Sequence, residues 1–201
     1  MQKNSQRLET KRAFGLLFIG VSVAVVMGTL LSEVVVKYPY PAYEYVIIWL
    51  VSFGATFGLI FRKSRRVFSS VRARMKNSLK WPIGAKVVNG FCWAAPFALI
   101  GVFPPMYQYL ILVGIGLGNL STYLLMKRYS NLDNREQMIV GLLALASIPI
   151  SIGIGITVFA LKHDLAVLLS RMLIAIAYAA GGIYALAVKR LTPSSSCSSS
   201  A

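Results

Sequence analysis

Histidine, cysteine and acidic residues are scarce in this sequence of 201 residues. It holds six Asp and Glu residues, one histidine, His163, and two cysteines, Cys92 and Cys197. A single histidine excludes both a bis-histidine haem site and a histidine metal cluster. No Cys-x-x-Cys spacing offers a metal or redox site. We therefore expect no cofactor and no bound metal.

Catalytic arrangements are missing as well. The sequence has no carboxylate pair, no Ser/His/Asp set and no phosphate-binding glycine loop. Those are the arrangements that general acid–base, nucleophilic and phosphoryl-transfer chemistry require. We expect a protein that is not an enzyme.

Charge is low overall, and apolar residues are abundant. Charged residues make up 13% of the chain and apolar residues 57%, whereas a typical soluble domain has about 25% charged residues. A soluble domain of this length cannot bury so much apolar surface. The composition predicts an integral membrane protein with the lipid bilayer as its solvent.

Six apolar runs are long enough for a helix to cross the hydrocarbon core, which takes about 20 residues. We predict an all-α, polytopic transmembrane bundle of six helices, packed as three hairpins in one domain, 1–190. A Ser-rich tail, 191–201, is expected to be disordered. The first run is longer than a signal peptide's apolar region of about 7–15 residues, so we expect a retained first helix. The predicted spans are 13–35, 44–61, 83–103, 107–126, 138–161 and 165–188.

Basic residues alternate between the connectors of these spans. The two termini and loops 62–82 and 127–137 together hold 17 Lys and Arg residues, whereas the opposite connectors hold only Lys37 and Lys162. The positive-inside rule then places both termini on the cytoplasmic side of a plasma or cytoplasmic membrane. Four tyrosines fit an aromatic belt at the outer interface: Tyr38, Tyr40, Tyr43 and Tyr45.

Loop 62–80 is the most basic segment of a chain whose net charge is +15. Apolar residues at four-residue spacing predict an amphipathic helix on the inner leaflet, where anionic lipid is the expected partner. A topology determinant without a further role is the alternative. No stacking aromatics interleave the charges, so we expect no nucleic-acid binding. The residues predicted to bind lipid or a protein partner are Arg65, Arg66, Arg72, Arg74 and Lys76.

Arg171 is the one unambiguous charge inside a predicted span. It lies about 9 Å beyond Leu165 at about 1.5 Å per residue, and a charge at the bilayer centre costs about 2.5–3.5 kcal/mol. Either its side chain reaches the outer interface, or it faces an anion in a polar cavity. The other cavity candidates are Asn119, Asn89, Ser151 and Pro149.

Each of these other candidates has a simpler interpretation. Pro149 lies in a deformable run, 147–155, and broken helices at mid-membrane bind substrates in many transporters. Prolines are also ordinary in membrane helices. The polar residues either line a cavity or form hydrogen bonds between helices, at about 0.6 kcal/mol each.

Small residues recur at every fourth position in all six spans, a spacing that lets helix backbones approach closely. The spacing does not distinguish packing within the chain from a homo-oligomer or a membrane partner subunit. The stripes are Gly20/Ala24/Gly28, Gly54/Gly58, Gly90/Ala94/Ala98, Gly114/Gly118, Ser147/Ser151/Gly155 and Ala177/Gly181/Ala185.

A shift of 64 residues gives a modest self-match, with 41–45 over 105–109 and Gly54 over Gly118. The self-match indicates either a duplicated hairpin or only the aromatic start and basic end that any two helices running from the outer to the inner side share.

Two functions remain open. The first is a non-enzymatic, transport-associated component, permease-like or substrate-binding, with its energy supplied by a separate ATPase. The absence of carboxylates near the centre of the predicted spans suits this role, because ion-coupled carriers often use them. The alternative is a structural or accessory scaffold that engages anionic lipid or a partner through loop 62–80.

Overall fold

The computed structural model describes residues 2–36, 42–63, 69, 72, 76, 81–158 and 163–187. Within these residues the long regular elements are six α-helices, and none is a strand. All six are long and apolar enough to cross a membrane. They are α1 Gln2–Val36, α2 Ala42–Lys63, α3 Ile83–Ile100, α4 Tyr107–Ser130, α5 Arg135–Thr157 and α6 His163–Ala187, with a short 3-10 turn at Pro104–Met106 before α4.

Helix α1 begins at Gln2, well before the predicted start at 13. The other helix ends differ from the predicted spans by a few residues. Helix α3 ends at Ile100, three residues early, because a turn at Gly101 leads into Pro104 and Pro105, which disfavour helix in the residues before them. Helix α4 continues to Ser130 and is capped by Asn131 in the left-handed conformation, with φ 50°. Asparagine tolerates that conformation, so Asn131 ends α4.

The helices pack side by side in the order α2, α1, α6, α5, α4, α3, and α4 also touches α6. Consecutive helices therefore pair as α1–α2, α3–α4 and α5–α6. Helices α2 and α3 lie at the two ends of the row, and large apolar side chains on both are exposed. The hairpins matched by the 64-residue shift occupy different environments, because α1 packs between two helices and α3 packs mainly on α4.

Two neighbouring pairs in the row, α1 with α6 and α4 with α5, contact each other through glycines. A Cβ atom added at Gly182 of α6 would lie 3.0 Å from the carbonyl oxygen of Gly15 on α1. A Cβ atom added at Gly141 of α5 would lie 3.0 Å from the carbonyl oxygen of Gly116 on α4. The backbones at both contacts are so close that a methyl group has no room.

The predicted stripes divide into packed and unpacked sets. Gly28 faces the ring of Trp49, and Gly118 faces the ring of Trp93, so these stripes receive large aromatic side chains. Gly54, Gly58 and Gly90 have no atom within 4 Å of an added Cβ among the described residues. The unpacked stripes therefore lie on α2 and α3, the end helices of the row.

The main apolar core joins α1, α4, α5 and α6. At its centre the rings of Phe18 and Tyr178 meet edge to face, with centroids 5.7 Å apart. A smaller cluster joins the start of α3 to the end of α4, where buried Trp81 donates a 3.0 Å hydrogen bond from Nε1 to the Ser130 hydroxyl. Together the two clusters connect five of the six helices.

The glycine contact between α4 and α5 gives a stability prediction. Gly141→Ala should destabilise the fold by about 1–3 kcal/mol, because the new methyl group meets backbone that cannot easily move. SDS titration of the detergent-purified chain, followed by tryptophan fluorescence, measures this. Gly153→Ala on the same helix is the matched control, because no described atom lies within 4 Å of its Cβ. It should be neutral or stabilising by up to about 1 kcal/mol. Equal effects of the two variants would contradict the glycine contact.

Candidate functional site

Arg171 is half-buried on α6, about 12 Å from the start of that helix at about 1.5 Å per residue. Its guanidinium carbon lies 5.6 Å from the ring centroid of Trp49 on α2. A cation over an indole face gains about 0.5–2 kcal/mol, the larger value when both are desolvated. The side chain is therefore held against a second helix.

Two further helices supply polar neighbours. Tyr107, the first residue of α4, forms a side-chain hydrogen bond with Arg171, and the guanidinium is the donor to the phenol oxygen. Glu33 on α1 lies close enough for its charge to act on the Tyr107 hydroxyl. Helices α2 and α4 thus both contact the guanidinium on α6, and a carboxylate on α1 lies close enough to act on Tyr107.

Three buried polar side chains lie within one helical turn of these residues. Thr29 is one turn from Glu33 on the same face of α1, Ser52 is three residues after Trp49, and Gln108 follows Tyr107. They are 0%, 1% and 6% exposed, respectively. The Thr29 Oγ1, Ser52 Oγ and Gln108 Oε1 atoms find no hydrogen-bond partner among the described residues. Each such atom costs about 1–3 kcal/mol when buried.

We name this group the Arg171 cluster. Its members are Arg171, Trp49, Tyr107 and Glu33, together with Thr29, Ser52 and Gln108. It offers one cationic donor, one carboxylate, two aromatic faces, two hydroxyls and one amide oxygen. Chemically, such a set can orient a small polar or charged molecule but has no group placed as a nucleophile.

Three of the other predicted cavity residues form hydrogen bonds within one helix or between two helices. Buried Asn119 donates a 2.8 Å hydrogen bond from Nδ2 to the Ile115 carbonyl and also hydrogen-bonds with Tyr178 on α6. The Ser151 and Ser170 hydroxyls are 2.9 Å apart, which links α5 to α6. These bonds satisfy the groups locally and leave Asn119 and Ser151 outside the Arg171 cluster.

Asn89 links α3 to α4. Its Oδ1 atom is 2.8 Å from the Ser121 hydroxyl and 2.9 Å from the Thr122 hydroxyl, both of which can donate to it. Trp93 Nε1 donates to the same Thr122 hydroxyl, at 3.3 Å. Pro149 is exposed in the middle of α5. The structure therefore leaves Asn89 and Pro149 outside the Arg171 cluster.

Beyond the end of α2 at Lys63, the basic loop is described at three positions only. Ser69, Arg72 and Lys76 are each helical and exposed. Arg65, Arg66 and Arg74 lie outside the described residues, as does the tail 191–201. Of the aromatic belt, Tyr43 is exposed and Tyr45 half-buried, and the other two tyrosines also lie outside.

Sequence reasoning missed most of the cluster. Glu33 was visible only as an interruption of the first apolar run, and Tyr107 only as the aromatic start of a span. Trp49, Thr29 and Ser52 carry no sequence signal, because their roles depend on which helices are neighbours.

No group of three or more His, Cys, Asp or Glu side chains that could hold a metal is found in the described part of the chain. Comparison with protein-family models, curated proteins and solved structures finds no match for this chain.

Proposed function

We propose that this chain is a non-enzymatic, transport-associated membrane component that recognises a small ligand with an acid group at the Arg171 cluster. The observation that carries the proposal is a half-buried arginine on α6 that side chains of α2 and α4 both contact. A helix bundle held together by packing alone has no need for a guanidinium at this position, where desolvation costs energy.

The guanidinium has hydrogen-bonding capacity for such a ligand. Arginine carries five N–H donors in a planar fork that matches a carboxylate or phosphate in a two-bond arrangement. Tyr107 takes one of these donors, and the Trp49 ring takes none. Both aromatic side chains restrict the guanidinium, and a restricted recognition group loses less entropy when it binds.

We further propose that both termini are cytoplasmic in a plasma or cytoplasmic membrane, and that the cluster faces the outer side. The unequal distribution of Lys and Arg between alternate connectors supports this orientation. In this orientation α6 begins at the outer surface, and Arg171 lies within the outer half of the bundle.

Orientation can be measured by cysteine labelling in intact cells. In a Cys92→Ala/Cys197→Ala background, Phe103→Cys should react with a membrane-impermeant maleimide, because Phe103 is exposed in the outer turn before α4. Asn131→Cys, exposed in the α4–α5 turn, should react only after permeabilisation. The reverse pattern, or labelling of both sites in intact cells, would overturn the proposed orientation.

Ligand recognition can be measured on the detergent-purified chain by isothermal titration with small carboxylates and phosphate esters. At least one should bind, and Arg171→Leu should weaken it about 10- to 100-fold, because a hydrogen bond to a charged group contributes about 1.5–3 kcal/mol. Arg171→Lys should recover only part of the affinity, because it lacks the planar fork. The control is Arg62→Leu, an exposed arginine at the other end of the bundle. Undiminished binding to Arg171→Leu, or no binding to the unaltered chain, contradicts the proposal.

A scaffold role through loop 62–80 is the second candidate. The observation in its favour is that Arg72 and Lys76 are each helical and exposed, as an amphipathic helix on anionic lipid requires.

Native mass spectrometry with added phosphatidylglycerol tests this second role. Replacing Arg65, Arg66, Arg72 and Arg74 by Gln should reduce the bound lipid severalfold, because each basic residue near anionic lipid contributes about 1 kcal/mol. The control removes the same charge elsewhere on the proposed inner side, with Gln at Lys11, Arg12, Lys127 and Arg128. An equal loss of lipid in both variants would show that total charge matters and the loop does not.

A further inference from the structure

We propose that Trp49 and Gly28 are positioning residues that hold Arg171 in the orientation in which it recognises an acid group. Gly28 on α1 fixes the indole of Trp49 on α2, and that indole restricts the Arg171 guanidinium on α6. This inference rests on the proposed function. It adds two residues that act through the arginine, and a preference for acids that accept two parallel hydrogen bonds.

The indole of Trp49 contacts α1 and α6 at once. A Cβ atom added at Gly28 of α1 would lie 2.8 Å from Trp49 Cε3, 2.9 Å from Cζ3 and 3.2 Å from Cδ2. The Arg171 guanidinium carbon lies 5.6 Å from the Trp49 ring centroid. Helices α2 and α6 both pack on α1. The residue of α1 that contacts the indole therefore helps to set where Trp49 meets Arg171.

This close approach depends on the absence of a side chain at Gly28. Contacts between carbon atoms are most favourable at about 3.5–4.0 Å, so a methyl group 2.8 Å from the indole would push one of the two groups away. The backbone of α1 is held at this point, because the buried Ser32 hydroxyl donates a 2.6 Å hydrogen bond to the Gly28 carbonyl. We therefore expect the indole to be the group that moves.

Trp49 is also supported from its own helix. The Phe53 ring, one turn later, has its centroid 6.2 Å from that of Trp49. The rings of Phe57 and Phe61 continue the row, with successive centroids 6.0 and 5.9 Å apart. With α1 on one side and Phe53 beside it, the indole has few alternative orientations, and the cation that lies over it is restricted as well.

A restricted guanidinium changes which anions the site prefers. The planar fork of arginine offers two parallel N–H bonds to a carboxylate or phosphate. An arginine whose orientation varies loses more entropy when it forms both bonds. Chloride is spherical and accepts no such pair. The unaltered chain should therefore prefer these acids over chloride by more than a chain in which Arg171 is free to turn.

The test measures affinities of the full detergent-purified chain by isothermal titration. The probes are acetate, succinate, methyl phosphate and glycerol 3-phosphate, with chloride as the reference anion. Trp49→Leu and Gly28→Ala should each weaken the tightest of the four acids about three- to tenfold, and chloride by less than about twofold. A loss of folded protein would instead reduce the binding of acid and chloride alike.

A matched control and a second substitution test the route. Gly20→Ala is the control, because Gly20 lies on the same stripe of α1 but faces the flexible end of Ile60. It should keep the affinity and the preference within about twofold. Phenylalanine lacks the Cε3 and Cζ3 atoms of the indole. Adding Gly28→Ala to a Trp49→Phe chain should therefore weaken binding by less than about twofold, because the effect of residue 28 passes through the indole.

Tryptophan emission gives a readout that needs no ligand. The other two tryptophans form hydrogen bonds to residues of α4, so removing the cation over Trp49 should change the emission of Trp49 alone. Arg171→Leu and Gly28→Ala should both change the emission spectrum of the folded chain, whereas Gly20→Ala should leave it unchanged.

The outcomes separate the two proposals. If the acids bind and Arg171→Leu weakens them, but Gly28→Ala and Trp49→Leu keep the unaltered affinity and preference, the positioning inference is overturned and the proposed function stands. Equal weakening by Gly28→Ala with and without Trp49→Phe would also overturn the inference, because the effect would not pass through the indole. If the unaltered chain binds no carboxylate or phosphate ester, both are overturned.

Discussion

Close approach between glycine backbones is the constraint on which the rest of this bundle depends. In lipid, burial of apolar side chains does not drive helices together, because the acyl chains are equally apolar, so association relies on tight van der Waals packing. Gly15 with Gly182 and Gly116 with Gly141 provide that packing at the α1–α6 and α4–α5 contacts. Helix α6 is thereby fixed beside α1 and close to α4, which brings Arg171 to Tyr107.

The sequence predicts the positions of the helices along the chain far better than it predicts which helices pack together. Apolar length directly determines whether a segment can cross the bilayer, so all six helices were expected near their observed positions. Packing partners follow from side-chain shape across helix pairs, and four-residue spacing does not contain that information. Gly54 and Gly58 have this spacing, yet no atom of the described residues lies within 4 Å of an added Cβ at either, whereas Gly116 and Gly141, which belong to no predicted stripe, make a tight contact.

In the candidate site, too, the sequence predicts one residue and not the residues that pack around it. Arg171 could be singled out because a charge within an apolar run is costly wherever the helix packs. Its neighbours could not be, because Trp49 and Tyr107 come from helices far apart in sequence. Asn89, Asn119 and Ser151 were equally polar in sequence, yet the structure gives each a partner in its own helix or an adjacent one. Only the packing order distinguishes these two groups of polar residues.

The contrast between these two groups bears on function. Where α5 meets α6, the Ser151 and Ser170 hydroxyls bond to each other, so this buried contact is complete in itself. Around Arg171, buried Thr29 and Ser52 hydroxyls have no partner among the described residues, although hydroxyls rotate easily to find one. Apolar residues of similar volume would avoid that cost, as they would for the arginine itself. These unsatisfied buried hydroxyls support the proposal of a ligand site beside Arg171.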